Sequence, residues 1–313
     1  MVSPGRQMAE HAAARVLLDG AIDYAGLFPP AQLDMAGAVA EYASYRRSDD
    51  AWALGAFVAP AARLEELAAA ATGHRDPKGA SLGALTPWRV SAVVGADVRT
   101  EIAQVRAFQA AHATASAWPA VVRSVEVRAS TAAAIVEAAR TVGDGFDLFV
   151  EIPIAGDVSP LVRAIGAVSA YAKVRTGGTT ADAFPSSEDL ARFLAACVRE
   201  TVPFKATAGL HHALRGVYPL TYAPDSARGT MYGFLNVFLA AAFLRAGESE
   251  EMARALLEER EAGAVHFDQS GVTWRGHRLS TEQLESSRHD AIRSFGSCSF
   301  REPLDDLASL GLL

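Results

Sequence analysis

Only two cysteines, Cys197 and Cys298, occur in 313 residues. They are too few and too far apart for a disulfide framework or a cysteine-based zinc site, and a reducing cytoplasm is the simplest compartment for such a chain. Clustered positive charge is equally scarce. No run of Lys and Arg exceeds a pair, and 29 basic residues face 36 acidic ones, a net charge of −7. A protein whose partner is the nucleic-acid backbone needs the opposite balance. Long apolar runs are missing as well. The longest, MYGFLNVFLAAAFL at 231–244, falls short of the ~20 residues that span a bilayer and reads as a buried helix. The N-terminal MVSPGRQMAEHAAARVLLDG is broken by His, Arg and Glu before an apolar stretch forms, so it does not read as a secretory signal. Neither membrane nor nucleic acid is expected as a partner.

What is present is the balance of a globular chain. Half the residues are hydrophobic and 21% are charged, with a mean hydropathy of +0.12, enough to bury a sizeable core. Short β-branched or apolar runs alternate with Ala/Leu/Glu-rich stretches of helical period. Strands are expected at 21–28, 52–60, 88–97, 121–128, 148–153, 171–178 and 203–209. Helices are expected near 35–47, 61–72, 98–113, 130–142, 159–169 and 186–200, with entry chemistry at Ser130 and in the run Pro185, Ser186, Ser187, Glu188. Strict βα alternation means parallel strands with right-handed crossovers.

Seven units by residue 210 call for an eighth strand. The best candidate is IRSFGSCSF at 292–300, followed by a final helix with Pro303 in its first turn. The expected fold is therefore α/β, a single TIM (β/α)8 barrel over 1–313 with an insertion at 212–291 between strands 7 and 8. That insertion holds the apolar helix, a second helix near 249–262 and a hairpin turning at Ser270 and Gly271. At the C-terminal face of a barrel so long a segment is expected to cover the mouth or to form an interface, and a homo-oligomer is the expected assembly.

Charged residues interrupt several apolar strands: Asp23 in strand 1, Glu126 in strand 4, Glu151 in strand 5, Lys173 and Arg175 in strand 6, and Lys205 in strand 7. Side chains two apart on a strand share a face, and a buried charge costs several kcal/mol unless paired. A buried salt-bridge network is one reading. Two amines on adjacent strands, however, repel unless chemistry needs them, and Schiff-base formation does. An unperturbed amine of pKa ~10.4 is only ~0.04% neutral at pH 7, whereas a neighbouring cation that lowers it to ~7 leaves half of it nucleophilic. A nearby carboxylate can then carry protons through the carbinolamine and enamine steps.

The order of the motifs resembles the deoxyribose-phosphate aldolase family, Schiff-base aldolases on a TIM barrel. IDYAGLFPPA is similar to its first strand and loop, FVAPAARLEELAAAATG to its second strand and helix, and AVVGAD to the start of its third. SVEVR puts Glu126 at the family's catalytic acidic position, and FVEIP matches its strand 5 glutamate. AKVRTGG resembles KTSTG and places Lys173 at the Schiff-base position; FKATAGLHH resembles KAAGGIR and places Lys205 at the second lysine. SFGSCSF resembles its last strand. The resemblance covers ~20 to ~212 and ~292 to 313. It implies an aldolase or lyase in which Lys173 is the nucleophile, Lys205 the pKa-lowering partner and proton relay, Glu126 the general acid/base, and Asp23 the group that orients the lysine pair. Around the substrate it implies Glu151, Arg175, Thr176, Gly177, Thr207, Gly209, His211, Ser297 and Ser299. No cofactor is implied, because a protonated imine is itself the electron sink.

Two departures bear on the substrate. Where the family has two glycines and an arginine near the phosphate, this chain has Ala208, Gly209 and His211. A small carbonyl compound other than phosphorylated deoxyribose is therefore expected, with the phosphate either gone or replaced by a carboxylate, which Arg175 would suit. His211 and His212, with Glu151 as a conceivable third ligand, keep open a metal-assisted or acid/base lyase or isomerase, although adjacent strand residues face opposite sides. A non-catalytic binding or assembly protein is the third class. Asn236, within the apolar helix, is a buried polar residue that could reach substrate; Asp19 and Asp34 are expected to cap helices or to be solvated.

Overall fold

The computed structural model describes residues 12–72, 86–113 and 118–312; the first eleven residues, part of the stretch read for a secretory signal, lie outside them. Eight parallel strands close into a barrel: β1 (Ile22–Tyr24), β2 (Leu54–Pro60), β3 (Trp88–Val93), β4 (Ala120–Arg128), β5 (Asp147–Glu151), β6 (Tyr171–Arg175), β7 (Phe204–Thr207) and a late strand, Ile292–Ser297, which pairs with both β7 and β1. The chain thus has a TIM-like α/β fold, with its eighth strand where IRSFGSCSF predicts it.

Short polar side chains start four of the intervening helices. Asp34 Oδ1 accepts from Gly37 N at 2.7 Å to open α2 (Met35–Tyr45), which follows α1 (Ala12–Leu18). Next come α3 (Leu64–Ala71) and α4 (Val98–His112), the latter capped by Asp97. The helix expected to start from Ser130 is capped instead by Thr131, whose Oγ1 accepts from Ala134 N, giving α5 (Ala132–Val142). It is followed by α6 (Ser159–Ala167) and by α7 (Ser187–Arg199), capped by Ser186. Each cap satisfies one orphan N–H and is worth about 1 kcal/mol.

Residues 212–291 divide between two places. A two-stranded hairpin, β8 (Gly216–Pro219) with β9 (Arg228–Met231), leans over the barrel mouth, where Leu220, Thr221, Tyr222 and Met231 line the cavity. The apolar helix α8 (Phe234–Arg245) instead takes the ring position after β7. Phe234 stacks on Phe295 of the last strand with ring centroids 4.8 Å apart, and Phe238 meets the same ring edge-on. Gly233 lets the chain enter this helix, because a Cβ there would overlap Ala213 O and Leu214 Cα. α8 is buried on every side because α9 (Glu250–Leu257) and α10 (Thr281–Asp290) pack over it.

The expected single hairpin is a three-stranded sheet, β10 (Val265–Asp268), β11 (Gly271–Trp274) and β12 (His277–Ser280), packed on α1 and α10. Its second turn, Arg275–Gly276, has φ of 45° and 89°, the two positive values that a tight two-residue turn requires. The last barrel strand is β13, and α11 (Arg301–Ser309) ends the fold. Among the described residues no helix is long and apolar enough to cross a membrane.

Candidate active site

The barrel interior carries a charge cluster built by strand register. Lys173 on β6 is directly opposite Lys205 on β7, and Glu151 on β5 is opposite Lys173. Glu126 comes from β4 and links the two amines. Its Oε2 lies 2.8 Å from Lys173 Nζ and its Oε1 lies 2.5 Å from Lys205 Nζ. Glu151 Oε2 approaches Lys173 Nζ at 2.8 Å from the other side, and Asp23 Oδ2 approaches Lys205 Nζ at 2.7 Å. All five side chains are buried.

Neutral donors hold the carboxylates in place. Ser91 Oγ donates to Glu126 Oε1 at 2.6 Å and is itself reached by Ser124 Oγ, its register partner across β3 and β4. Asp23 accepts from Ala56 N and from Ser294 Oγ, each at 2.7 Å. Gly55 makes this approach possible, since a Cβ there would run into Asp23 Oδ1 and the Ile22 backbone. Such donors fix Glu126 and Asp23 in position before any charge moves.

Burial pushes the Glu126 carboxyl up, but Lys173 and Lys205 outweigh it and hold the group well below the usual carboxylate range. Burial likewise works against charge on Lys205, yet Asp23 and Glu126 more than offset it and raise that ammonium above the ordinary lysine range. At neutral pH, then, Lys205 is a fixed cation beside Lys173, and Glu126 is an ionised carboxylate able to accept a proton.

These groups form the floor of a cavity of about 240 Å³ at the C-terminal ends of the strands. Of the residues expected around substrate, Arg175, Thr207, Gly209 and His211 line it, as do Glu126, Lys173 and Lys205. Asp23 and Glu151 touch the lysines from behind. Ser297, Ser299, Thr176 and Gly177 serve the cavity wall instead. Ser297 Oγ accepts from Ser299 N, Ser299 Oγ accepts from Glu302 N at the start of α11, and Thr176 Oγ1 donates to Ala208 O. Gly177 leaves room for Phe184. Ala208 and Gly209 both have positive φ, 65° and 75°; for Ala208 this costs about 1–2 kcal/mol.

The two histidines do not converge on one point. His211 Nδ1 lies 3.1 Å from Glu302 Oε2, whereas His212 Nδ1 lies 3.1 Å from Asp306 Oδ2 and its ring stacks on Tyr218. Glu151 is committed to Lys173 and Arg128. Among the described residues no three His, Cys, Asp or Glu side chains are grouped to hold a metal ion. Burial opposes charge on His211, but Cys298 Sγ at 3.9 Å and Glu302 outweigh it, and its pKa rises to about 9. Asn236 does not reach the cavity: Nδ2 donates to Leu256 O and Glu259 O while Oδ1 accepts from Arg215 N.

No protein-family model matches the chain, and no curated protein matches it.

Three contributors were missed from sequence. Arg128 ends β4 two residues after Glu126 and places its Nε 2.9 Å from Glu151 Oε1; period-2 spacing puts it on the same face and could have found it. Tyr222 and Glu302, joined by a 2.9 Å hydrogen bond, tie the β8–β9 region to α11 across the cavity edge. They are 80 residues apart in sequence, and no local pattern announces that contact.

Proposed function

We propose that the protein is a Schiff-base-forming lyase of the aldolase type acting on a small carbonyl compound, with Lys173 as nucleophile. The observation that carries this reading is the pair of opposed lysines joined by one carboxylate at the floor of a cavity on the C-terminal face of the barrel. That face is where TIM-barrel enzymes place their chemistry. The resemblance of the lysine-bearing segments to the deoxyribose-phosphate aldolase family adds to it.

In this reading the neutral Lys173 amine attacks the substrate carbonyl carbon, a proton is taken up, and water leaves to give the protonated imine. The β-hydroxyl proton then passes to a carboxylate, for which Glu126 is the ionised group in contact with Lys173. The C–C bond breaks, the aldehyde departs, and the bonding electron pair moves into the imine to form an enamine. Protonation at carbon and addition of water release the second product and restore the amine. Lys205, held charged, is the fixed cation in register with Lys173 on the neighbouring strand.

The distal end of the cavity argues against a phosphate dianion. His211 is paired with Glu302, so its charge is already answered, and Glu302 places a carboxylate in the first turn of α11, the end that would otherwise favour an anion. Substrates other than phosphorylated deoxyribose are therefore favoured.

Incubation with small aldehydes and ketones plus borohydride tests the reading: peptide mapping should find a reduced adduct on Lys173. Trapping on Lys205 in its place would reverse the two roles, and the absence of any adduct across the panel would remove the Schiff-base chemistry.

A further inference from the structure

The rim directly above Lys173 carries two arginines that no part of the aldol chemistry uses. Arg175 follows Lys173 by two residues on β6 and so faces the same side, one pleat nearer the mouth. Arg128 stands in the corresponding place on β4, two residues after Glu126, and is opposite Glu151 in register. Both line the cavity whose floor is Lys173. Both also line the open groove beyond it, between Ser130 and Asp189.

Their pairing differs from that of the other charges. Arg128 gives one edge of its fork, Nε, to Glu151 and leaves its side chain 73% exposed. Arg175 is exposed, and its side chain makes no ion pair or hydrogen bond among the described residues. An unpaired guanidinium at the edge of a cavity that a second, only half-engaged one also lines presents planar donor forks suited to a carboxylate.

Formal charge points the same way. At the floor, two ammoniums face three carboxylates, which leaves a negative centre, more so once Lys173 gives up its proton to act as a nucleophile. An anionic substrate reaches such a floor only past compensating cations, and Arg128 with Arg175 supply them. A neutral substrate would need neither.

We propose that Arg128 and Arg175 form a carboxylate-binding site, and that the substrate is a 2-oxo acid or its aldol, with the carboxylate next to the carbonyl that meets Lys173. This rests on the Schiff-base reading for the carbonyl but not for the carboxylate site. The assay is borohydride trapping on Lys173 with pyruvate and with its neutral methyl ester, comparing the concentrations that give half-maximal adduct. The wild-type protein should trap pyruvate at a concentration about 10- to 100-fold lower than the ester, the range expected for charge-assisted hydrogen bonds. In Arg175→Met and Arg128→Met, the ratio within each variant should fall towards one.

A wild-type ratio near one, or a ratio that survives in both variants, overturns the proposal. If neither compound is trapped, the 2-oxo acid assignment fails, the wider panel of aldehydes and ketones decides the Schiff-base reading, and titration calorimetry with oxalate decides the carboxylate site. Binding to wild type that is lost in Arg175→Met upholds the carboxylate site, and no binding to wild type refutes it.

Discussion

Replacing Lys205 with Met should be the costliest single change in the charge cluster, and the geometry says why. Lys205 is 1% exposed and sits between Asp23 Oδ2 at 2.7 Å and Glu126 Oε1 at 2.5 Å. At an effective dielectric of ~20 each contact carries roughly 6 kcal/mol of gross attraction, most of it offset by desolvation of the charges. Without the ammonium, Glu126 keeps Lys173, but Asp23 keeps only the two neutral donors Ala56 N and Ser294 Oγ. Stranding a buried carboxylate costs about 3–5 kcal/mol. Glu126→Gln is milder by comparison, since each lysine retains one carboxylate, Asp23 or Glu151; about 1–3 kcal/mol is expected.

Urea denaturation of both variants and the wild type across pH 3.5–9 provides the assay. The folded pKa of Glu126 lies below its unfolded value of about 4.5, so its contribution is present above that pH and disappears as pH falls towards the folded value. Lys205 has a raised pKa, and its contribution is fully present below about 10.5. The gap between wild type and Lys205→Met should hence be flat from about pH 5 to 9 and shrink below pH 5. Equal stability of Lys205→Met and wild type, a Glu126→Gln loss larger than that of Lys205→Met, or a gap that widens in acid would refute the reasoning.

Gly55→Ala should both destabilise the protein and abolish imine trapping, because its Cβ displaces Asp23 from Lys205; retention of trapping at the wild-type rate would count against the anchoring described here. His211, with its pKa raised to about 9, stabilises the fold fully below about pH 6.5, and this contribution is lost as pH rises through 9. Denaturation midpoints of wild type and His211→Gln should therefore converge by up to about 3 kcal/mol between pH 6 and 10, and a constant difference would contradict the pairing with Glu302. Asn236→Ala leaves Leu256 O, Glu259 O and Arg215 N without their partner and should cost about 2–4 kcal/mol in stability. Its kcat should not change, and a large fall in kcat with intact stability would return this residue to the site.

Most of the barrel was legible because a closed parallel sheet writes itself as repeated apolar runs with helices between them. Even the late last strand could be found, since seven units demand an eighth. The charged strand residues were legible for the same reason: Glu126, Lys173 and Lys205 break runs that are otherwise apolar. Partnership was not legible. That Glu126 touches both lysines, whereas Asp23 touches only Lys205, follows from strand stagger and from the small Gly55 beside Asp23, and alternation along one strand carries neither. The placement of α8 shows a different limit. Uniform hydrophobicity says that a helix is covered on all sides, but not that β13 lies under it and α9 and α10 over it. Strands β8 and β9 escaped because four residues containing Pro219 or Gly229 give too little alternation to read.

The hydrogen bond from Ser294 to Asp23 spans 271 residues. It joins the first strand of the barrel to the last, on the side where β1 and β13 seal the ring. Loop-closure entropy grows only slowly with length, so the fold tolerates this separation at equilibrium; such non-local pairing nevertheless makes ring closure a slow event. On the ribosome, the seam cannot form until residue 294 has emerged. A nascent chain that already displays Lys173 and Lys205 therefore lacks one wall of the pocket around them. The charge cluster around the two amines is thus closed only after the last barrel strand has joined the first.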